Sequence, residues 1–116
     1  TILVVNRIIG MELFDVDRIP ISYSEELDGI DSEGRKDIVQ HNNECLSRTL
    51  FNKNNKLGFW PLLEQIVKLV KDQPGIKPRE LYGKLSKQML AQVHTLDEPS
   101  VVYFISLIKD GFKNAN

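Results

Sequence analysis

Apolar residues recur at three- and four-residue steps between Trp60 and Phe112, and this spacing predicts amphipathic helices. The first predicted helix opens at Pro61, because proline suits the first turn of a helix, and it ends before Gln73, Pro74 and Gly75. The second has Pro78 near its start and presents three apolar side chains on one side, at Leu81, Leu85 and Met89. The pattern therefore predicts two helices joined by a tight turn.

The segment Ser100–Ile108 is rich in β-branched and aromatic residues, which are typical of a buried strand as well as of a buried helix. Its flanks favour the helix. Asp97 is a good N-cap, and Glu98 and Pro99 suit the first turn. Gly111 is suited to end the helix in the left-handed conformation. We predict a third helix, with a strand as the alternative.

The amino-terminal half is predicted to differ in structure. Residues 2–9 and 11–21 alternate or cluster apolar side chains as two strands of a short β-hairpin do. Residues 22–35 are acidic and polar, which indicates a solvated or partly disordered loop. Residues 36–51 have loosely helical apolar spacing and predict an amphipathic helix.

We therefore expect an α+β fold, in which a β-hairpin and an amphipathic helix precede a three-helix unit. The turn-forming residues that follow Phe51 predict a boundary between an acidic segment, 1–52, and a helical domain, 53–116. The chain opens and closes inside apparent elements, which suggests a fragment of a larger protein.

The order of the elements in residues 60–112 resembles the winged helix-turn-helix superfamily. The residues that carry the resemblance are Ile66, Leu69, Val70, Gly75, Ile76, Glu80, Leu81, Leu85, Leu107, Gly111 and Phe112. The resemblance implies a DNA-binding module of a transcriptional regulator or a DNA-processing protein. Two features depart from the family: the connection from Ser86 to Pro99 is longer than a tight turn, and a wing would have to follow Asn116.

The net charge of −1 hides a division between the two halves of the chain. Residues 1–52 contain 5 Lys and Arg against 10 Asp and Glu, whereas residues 53–116 contain 10 against 6. Such asymmetry is expected where a module that faces nucleic acid adjoins an acidic one. The candidate nucleic-acid-binding residues lie on the second predicted helix, at Lys77, Arg79, Lys84 and Lys87. The alternative is that these are solvated lysines without a ligand.

A second functional hypothesis comes from the third predicted helix. Base readout in the major groove needs polar side chains, but residues 100–108 offer only two serines and a tyrosine hydroxyl. The apolar segment could instead meet another domain of the parent chain or a second copy in a homodimer. The predicted contact residues of this interaction module are Val101, Val102 and Ile105.

No arrangement of residues predicts a reaction, so the sequence leaves open whether the parent protein is an enzyme. His41 and Cys45 lie four apart on a predicted helix and could share a zinc ion, but tetrahedral zinc takes four ligands and His94 is the only other histidine. Ser106 and Lys109 match the spacing of a serine–lysine dyad without an oxyanion site. We therefore predict no catalytic residue, no metal ligand and no cofactor.

The remaining composition is that of an ordinary globular domain. The longest apolar runs are far shorter than a membrane-spanning helix, so no membrane partner is predicted. A single cysteine excludes a disulfide within the chain and favours a reducing compartment. The expected location is the cytoplasm, or the nucleus of a eukaryotic cell.

Overall fold

The structure, a computed structural model, describes residues 19–51 and 56–115, and every regular element in these two ranges is a helix. A 3₁₀ helix comes first, at Ile21–Leu27. Five α-helices follow: α1 Ser32–Phe51, α2 Lys56–Asp72, α3 Pro78–Lys84, α4 Lys87–Gln92 and α5 Glu98–Ala115. The described part of the chain is thus an all-helical fold.

The predicted α+β fold is therefore wrong, since neither described range contains a strand. The first predicted strand and most of the second lie outside the described residues. At Ile21, where the second strand was expected to end, the 3₁₀ helix begins instead. Tyr23 and Leu27 explain this local outcome, because the 3₁₀ helix buries both side chains in the core.

Helix α5 lies at the centre of the fold. All nine side chains from Ser100 to Ile108 are buried, and the helix packs against the 3₁₀ helix, α1, α2 and α3. The predicted helix is confirmed over the strand. The predicted N-cap is also confirmed, because Asp97 Oδ1 accepts a hydrogen bond of 3.0 Å from the backbone N–H of Ser100. The predicted end at Gly111 is wrong, because α5 continues to Ala115.

The first predicted helix corresponds to α2. It ends at Asp72 as expected, but it begins at Lys56, so Pro61 lies inside the helix and not in its first turn. The buried side of α2 comprises Leu62, Leu63, Ile66, Val67 and Val70. This stripe packs against α1, α4 and α5.

The second predicted helix is divided into two. Pro78 occupies the first turn of α3 as predicted, but the helix ends at Lys84. Leu85 then adopts an extended conformation, with ψ of 147°, and α4 begins at Lys87. The change of direction allows Leu85 to be buried while α4 packs against α2.

The acidic segment 22–35 is ordered, contrary to the predicted loop. Asp110 of α5 accepts hydrogen bonds from the backbone N–H groups of Ile21 and Ser22, at 2.6 and 3.3 Å, and from the Ser22 hydroxyl at 2.6 Å. The Tyr23 ring packs edge-to-face on Tyr103, with 5.3 Å between centroids. A carboxylate at the start of a helix is favourable, so Asp110 holds the first residues of the 3₁₀ helix against α5, where Tyr103 packs on Tyr23.

Helix α1 confirms the predicted amphipathic helix and begins four residues earlier, at Ser32. Its start is explained by Asp31, whose Oδ1 accepts a hydrogen bond of 2.8 Å from the Gly34 N–H. The predicted boundary between residues 52 and 53 lies outside the described residues, within the stretch 52–55. Elements on both sides of that stretch contribute to one hydrophobic core.

A buried polar network joins α1, α5 and the 3₁₀ helix. The Asn42 amide donates to the Tyr23 hydroxyl at 3.2 Å, and Asn42 Oδ1 accepts from the Ser100 hydroxyl at 3.3 Å. The Tyr103 hydroxyl donates to Asn43 Oδ1 at 3.0 Å. These hydrogen bonds favour one alignment of the three helices, while Asn43 Nδ2 is buried without a hydrogen-bond partner among the described residues.

Truncation of a buried side chain in the central helix, α5, should destabilise the domain strongly. Ile105 is fully buried, so Ile105→Ala removes packed methylene groups and leaves a cavity. We expect a loss of about 2–5 kcal/mol in the free energy of unfolding. The matched control, Ile21→Ala, changes a side chain that is 74% exposed and should cost less than about 0.5 kcal/mol. Urea unfolding followed by circular dichroism measures both; equal losses would contradict a central position for α5.

Stability at alkaline pH should depend on Tyr23. Burial raises the pKa of its phenol above the usual 10.0, and this outweighs the hydrogen bond from Asn42, which lowers it. A raised pKa in the folded state means that the contribution of Tyr23 is complete below about pH 10 and is lost as the pH rises further. Tyr23→Phe should therefore flatten the alkaline decline in unfolding free energy relative to the wild type. Tyr82→Phe, at a half-buried tyrosine outside the polar network, is the control.

Candidate functional site

The four predicted nucleic-acid-binding residues lie on and beside α3, and all four are exposed. Lys77 is the N-cap residue of α3 and Lys84 is its last residue, so the two lie two helical turns apart on one side. Lys87 begins α4, immediately after the bend at Leu85. Glu80 is exposed between the first two lysines and reduces the local positive charge.

Arg79 differs from the three lysines because it is engaged within the fold. Its Nε donates to both carboxylate oxygens of Glu26, at 2.9 and 2.7 Å, and its Nη1 donates to Glu98 at 3.1 Å. The hydrogen bond and charge of Glu26 raise the pKa of Arg79 further above its usual value. This guanidinium connects the 3₁₀ helix, α3 and α5, and two carboxylates already neutralise it.

Two lysines contact the turn that joins α2 and α3. The Lys84 ammonium donates to the Gln73 amide oxygen at 3.1 Å, and Lys109 of α5 donates to the backbone carbonyl of Ile76. Lys77 belongs to the same turn. We name Lys77, Lys84, Lys87 and Lys109 the lysine cluster. Within residues 19–51 and 56–115, no carboxylate forms an ion pair with any of the four.

Lys109 was missed as a member of this cluster by sequence reasoning, which placed it at a helix end. No pattern in the sequence links position 109 to position 76. The dyad considered for Lys109 is not formed, because the Ser106 hydroxyl donates to the carbonyl of Val102 at 3.0 Å while Lys109 contacts Ile76.

The predicted interaction residues lie inside the fold. Val101, Val102 and Ile105 are exposed by 1%, 1% and 0%, and they pack in the core of this same chain. The apolar character of residues 100–108 is thus satisfied by the chain's own helices. As described, these three side chains present no surface to another domain or a second copy.

A cleft of about 440 Å³ opens between the 3₁₀ helix, α1 and the start of α5. Its lining includes Tyr23 and Asn42 from the polar network together with charged groups of Glu26, Arg79 and Asp97. His41 also lines this cleft and lies beside Cys45 and Asp97. Sequence reasoning paired His41 with Cys45 but missed Asp97, because its position before α5 already explained it as an N-cap.

Comparison with known proteins found no match to the chain among protein-family models, curated proteins or solved structures. Within the ranges that the structure describes, none of the helices has the length and apolar character needed to cross a membrane.

Because Arg79 forms ion pairs within the fold, its replacement should affect the 3₁₀ helix, whereas replacement of a neighbouring lysine should not. Arg79→Gln removes the contacts to Glu26 and Glu98, but the side chain is 58% exposed, so we expect a loss of at most about 1 kcal/mol per pair. The change should also loosen the 3₁₀ helix, which amide hydrogen exchange at Tyr23 and Leu27 measures. Lys77→Gln on the same helix is the control and should leave that exchange unchanged; equal acceleration in both variants would show that Arg79 does not hold the 3₁₀ helix.

Proposed function

We propose that the chain is a module that binds double-stranded DNA through its lysine cluster, as part of a transcriptional regulator or a DNA-processing protein. The observation that carries the proposal is that Lys84 and Lys109 both contact the turn between α2 and α3. Lys77 belongs to that turn, and Lys87 follows Lys84 by three residues. Four ammonium groups without a carboxylate partner among the described residues suit a polyanion.

The contacts proposed are to phosphate groups. Lysine is a mobile point charge, and neutralising phosphates with lysines releases counterions from the duplex. Base readout by α5 is not part of the proposal, because residues 100–108 are buried. Binding should therefore depend strongly on salt and weakly on sequence.

Arg79 is excluded from the proposed contact set. A phosphate would have to displace Glu26 and Glu98 from the guanidinium. The cytoplasm, or the nucleus of a eukaryotic cell, is the compartment in which such a module would meet DNA.

The alternative function, an interaction or dimerisation module, rested on the apolar segment around Val101, Val102 and Ile105. Burial of these residues within the chain removes the observation that favoured it. We retain DNA binding as the single proposed function.

Loss of lysines from the cluster should weaken DNA binding in proportion to the charge removed. Lys84→Gln and Lys87→Gln should each reduce the slope of log affinity against log salt by about 1, uniformly across duplex sequences. Fluorescence anisotropy of a labelled duplex at several salt concentrations measures the slope. Glutamine keeps the polar side chain, and so stability should change little.

Two further variants serve as controls. Lys36→Gln removes an exposed lysine from the first turns of α1, in the acidic half, and should leave the slope unchanged. Glu80→Gln removes the carboxylate beside the lysine cluster and should strengthen binding. If Lys36→Gln weakened binding as much as Lys84→Gln, the attraction would be a property of overall charge and the proposed surface would be wrong. Absence of binding by the wild type at low salt would contradict the function itself.

A further inference from the structure

Three side chains with metal-binding atoms converge beside the cleft. His41 and Cys45 project from the same side of α1, four residues apart, and Asp97 reaches them from the start of α5. His41 Nε2 lies 3.0 Å from Asp97 Oδ2 and 3.6 Å from Cys45 Sγ. One ligand atom from each of the three side chains lies within 4.8 Å of those of the other two.

We propose that His41, Cys45 and Asp97 bind a single zinc ion and leave its fourth coordination position to water. Imidazole nitrogen, thiolate sulfur and carboxylate oxygen are the ligands that zinc takes in proteins, and zinc sites with three protein ligands and an open position are well known. The sequence indicated only His41 and Cys45 as neighbouring zinc ligands. The structure adds Asp97 as the third ligand, and water supplies the fourth that tetrahedral zinc takes.

Two of the three donor separations are close to those of a tetrahedral ion. Bonds of about 2.0–2.3 Å at tetrahedral angles place ligand atoms about 3.3–3.6 Å apart. The separation between nitrogen and sulfur is 3.6 Å and that between nitrogen and oxygen is 3.0 Å, so these two distances need shifts of only a few tenths of an ångström. The ligand atoms all lie within 4.8 Å of one another, so binding must also draw the carboxylate and the sulfur together, which the exposed Asp97 side chain allows.

A catalytic triad does not explain the same cluster. In a triad, the nucleophile and the carboxylate contact opposite nitrogens of the histidine ring. Here the Cys45 sulfur and the Asp97 oxygen both approach Nε2 of His41. A single proton on that nitrogen can serve one of these two neighbours, whereas a metal ion at the point of convergence serves all three donors.

The supporting contacts orient the ligands and leave access for the ion. Asp97 Oδ1 accepts from the Ser100 N–H, which fixes the carboxylate and leaves Oδ2 for the metal. The His41 and Asp97 side chains are 54% and 47% exposed, while Cys45 is 5% exposed. The ion would thus lie at the surface, with sulfur on its inner side. Arg48 Nη2 lies 3.7 Å from the sulfur, and Arg48 Nε donates to the Glu44 carbonyl at 3.4 Å. Because the Arg48 side chain is exposed, the guanidinium can leave the sulfur for solvent when the ion binds.

A bound ion would join α1 to the start of α5, over 56 residues of sequence between His41 and Asp97. Because an ion that binds the folded state alone stabilises it, zinc should raise the unfolding temperature of the domain. This consequence is independent of DNA binding, since the lysine cluster contains none of the three ligands.

The test uses cobalt(II) as a spectroscopic substitute for zinc, added to the whole chain in the presence of a non-thiol reductant. We expect one ion per chain, a thiolate-to-cobalt charge-transfer absorption, and visible bands of the strength typical of four-coordinate cobalt, all displaced by zinc. Cys45→Ser must abolish the charge-transfer band, because the chain has a single cysteine. Asp97→Asn keeps a good N-cap residue, and it should weaken zinc binding at least about tenfold in calorimetric titration.

The control is His94→Gln, which changes the other histidine of the chain and should leave affinity and spectrum unchanged. His41→Gln should weaken binding and abolish the zinc-dependent rise in unfolding temperature. Because the His41 and Asp97 side chains are exposed, His41→Gln and Asp97→Asn should fold. These two variants therefore test the zinc site even if Cys45→Ser fails to fold. A wild type without saturable binding, or His41→Gln and Asp97→Asn variants that bind zinc as tightly as the wild type, would overturn the proposal.

Discussion

The whole fold depends on burying α5 on every side. Nine consecutive side chains, from Ser100 to Ile108, are removed from water, and a large apolar side chain contributes about 1.5–3 kcal/mol when it is fully buried. A helix that is apolar all round must be surrounded by other elements. Four of them, the 3₁₀ helix, α1, α2 and α3, meet this requirement. The remaining features of the molecule follow from how these elements are held against α5.

Polar atoms at the two ends of α5 determine how the surrounding elements are placed. Asp97 caps its first turn and meets His41 of α1, while Asp110 near its other end binds the start of the 3₁₀ helix. Between them, Ser100 and Tyr103 donate to Asn42 and Asn43 of α1, respectively. The same groups that complete the core therefore bring together the cleft and the proposed zinc ligands. The proposed zinc site and the stability of the fold therefore depend on the same polar contacts of α5.

The basic residues on and beside α3 differ in whether they form ion pairs within the fold. Arg79 connects three elements through Glu26 and Glu98, whereas Lys77, Lys84 and Lys87 of the same region face solvent without an ion pair to a described residue. In the sequence these four residues have the same character. Tertiary packing separates them, because only Arg79 lies within reach of two carboxylates from other helices. The proposed DNA-binding surface is therefore built from lysines alone.

The sequence by itself determined the features that depend on neighbouring residues. The capping of α5 by Asp97, the end of α2 at Asp72 and the start of α3 at Pro78 follow from local signals, which act within a few residues. Only the tertiary structure decided that the acidic segment docks as a 3₁₀ helix and that Asp97 meets His41 and Cys45. These outcomes bring together residues that lie up to 89 positions apart. The physical reason is that apolar spacing shows which side of a helix is buried, whereas its partner is chosen by the packing of the complete core.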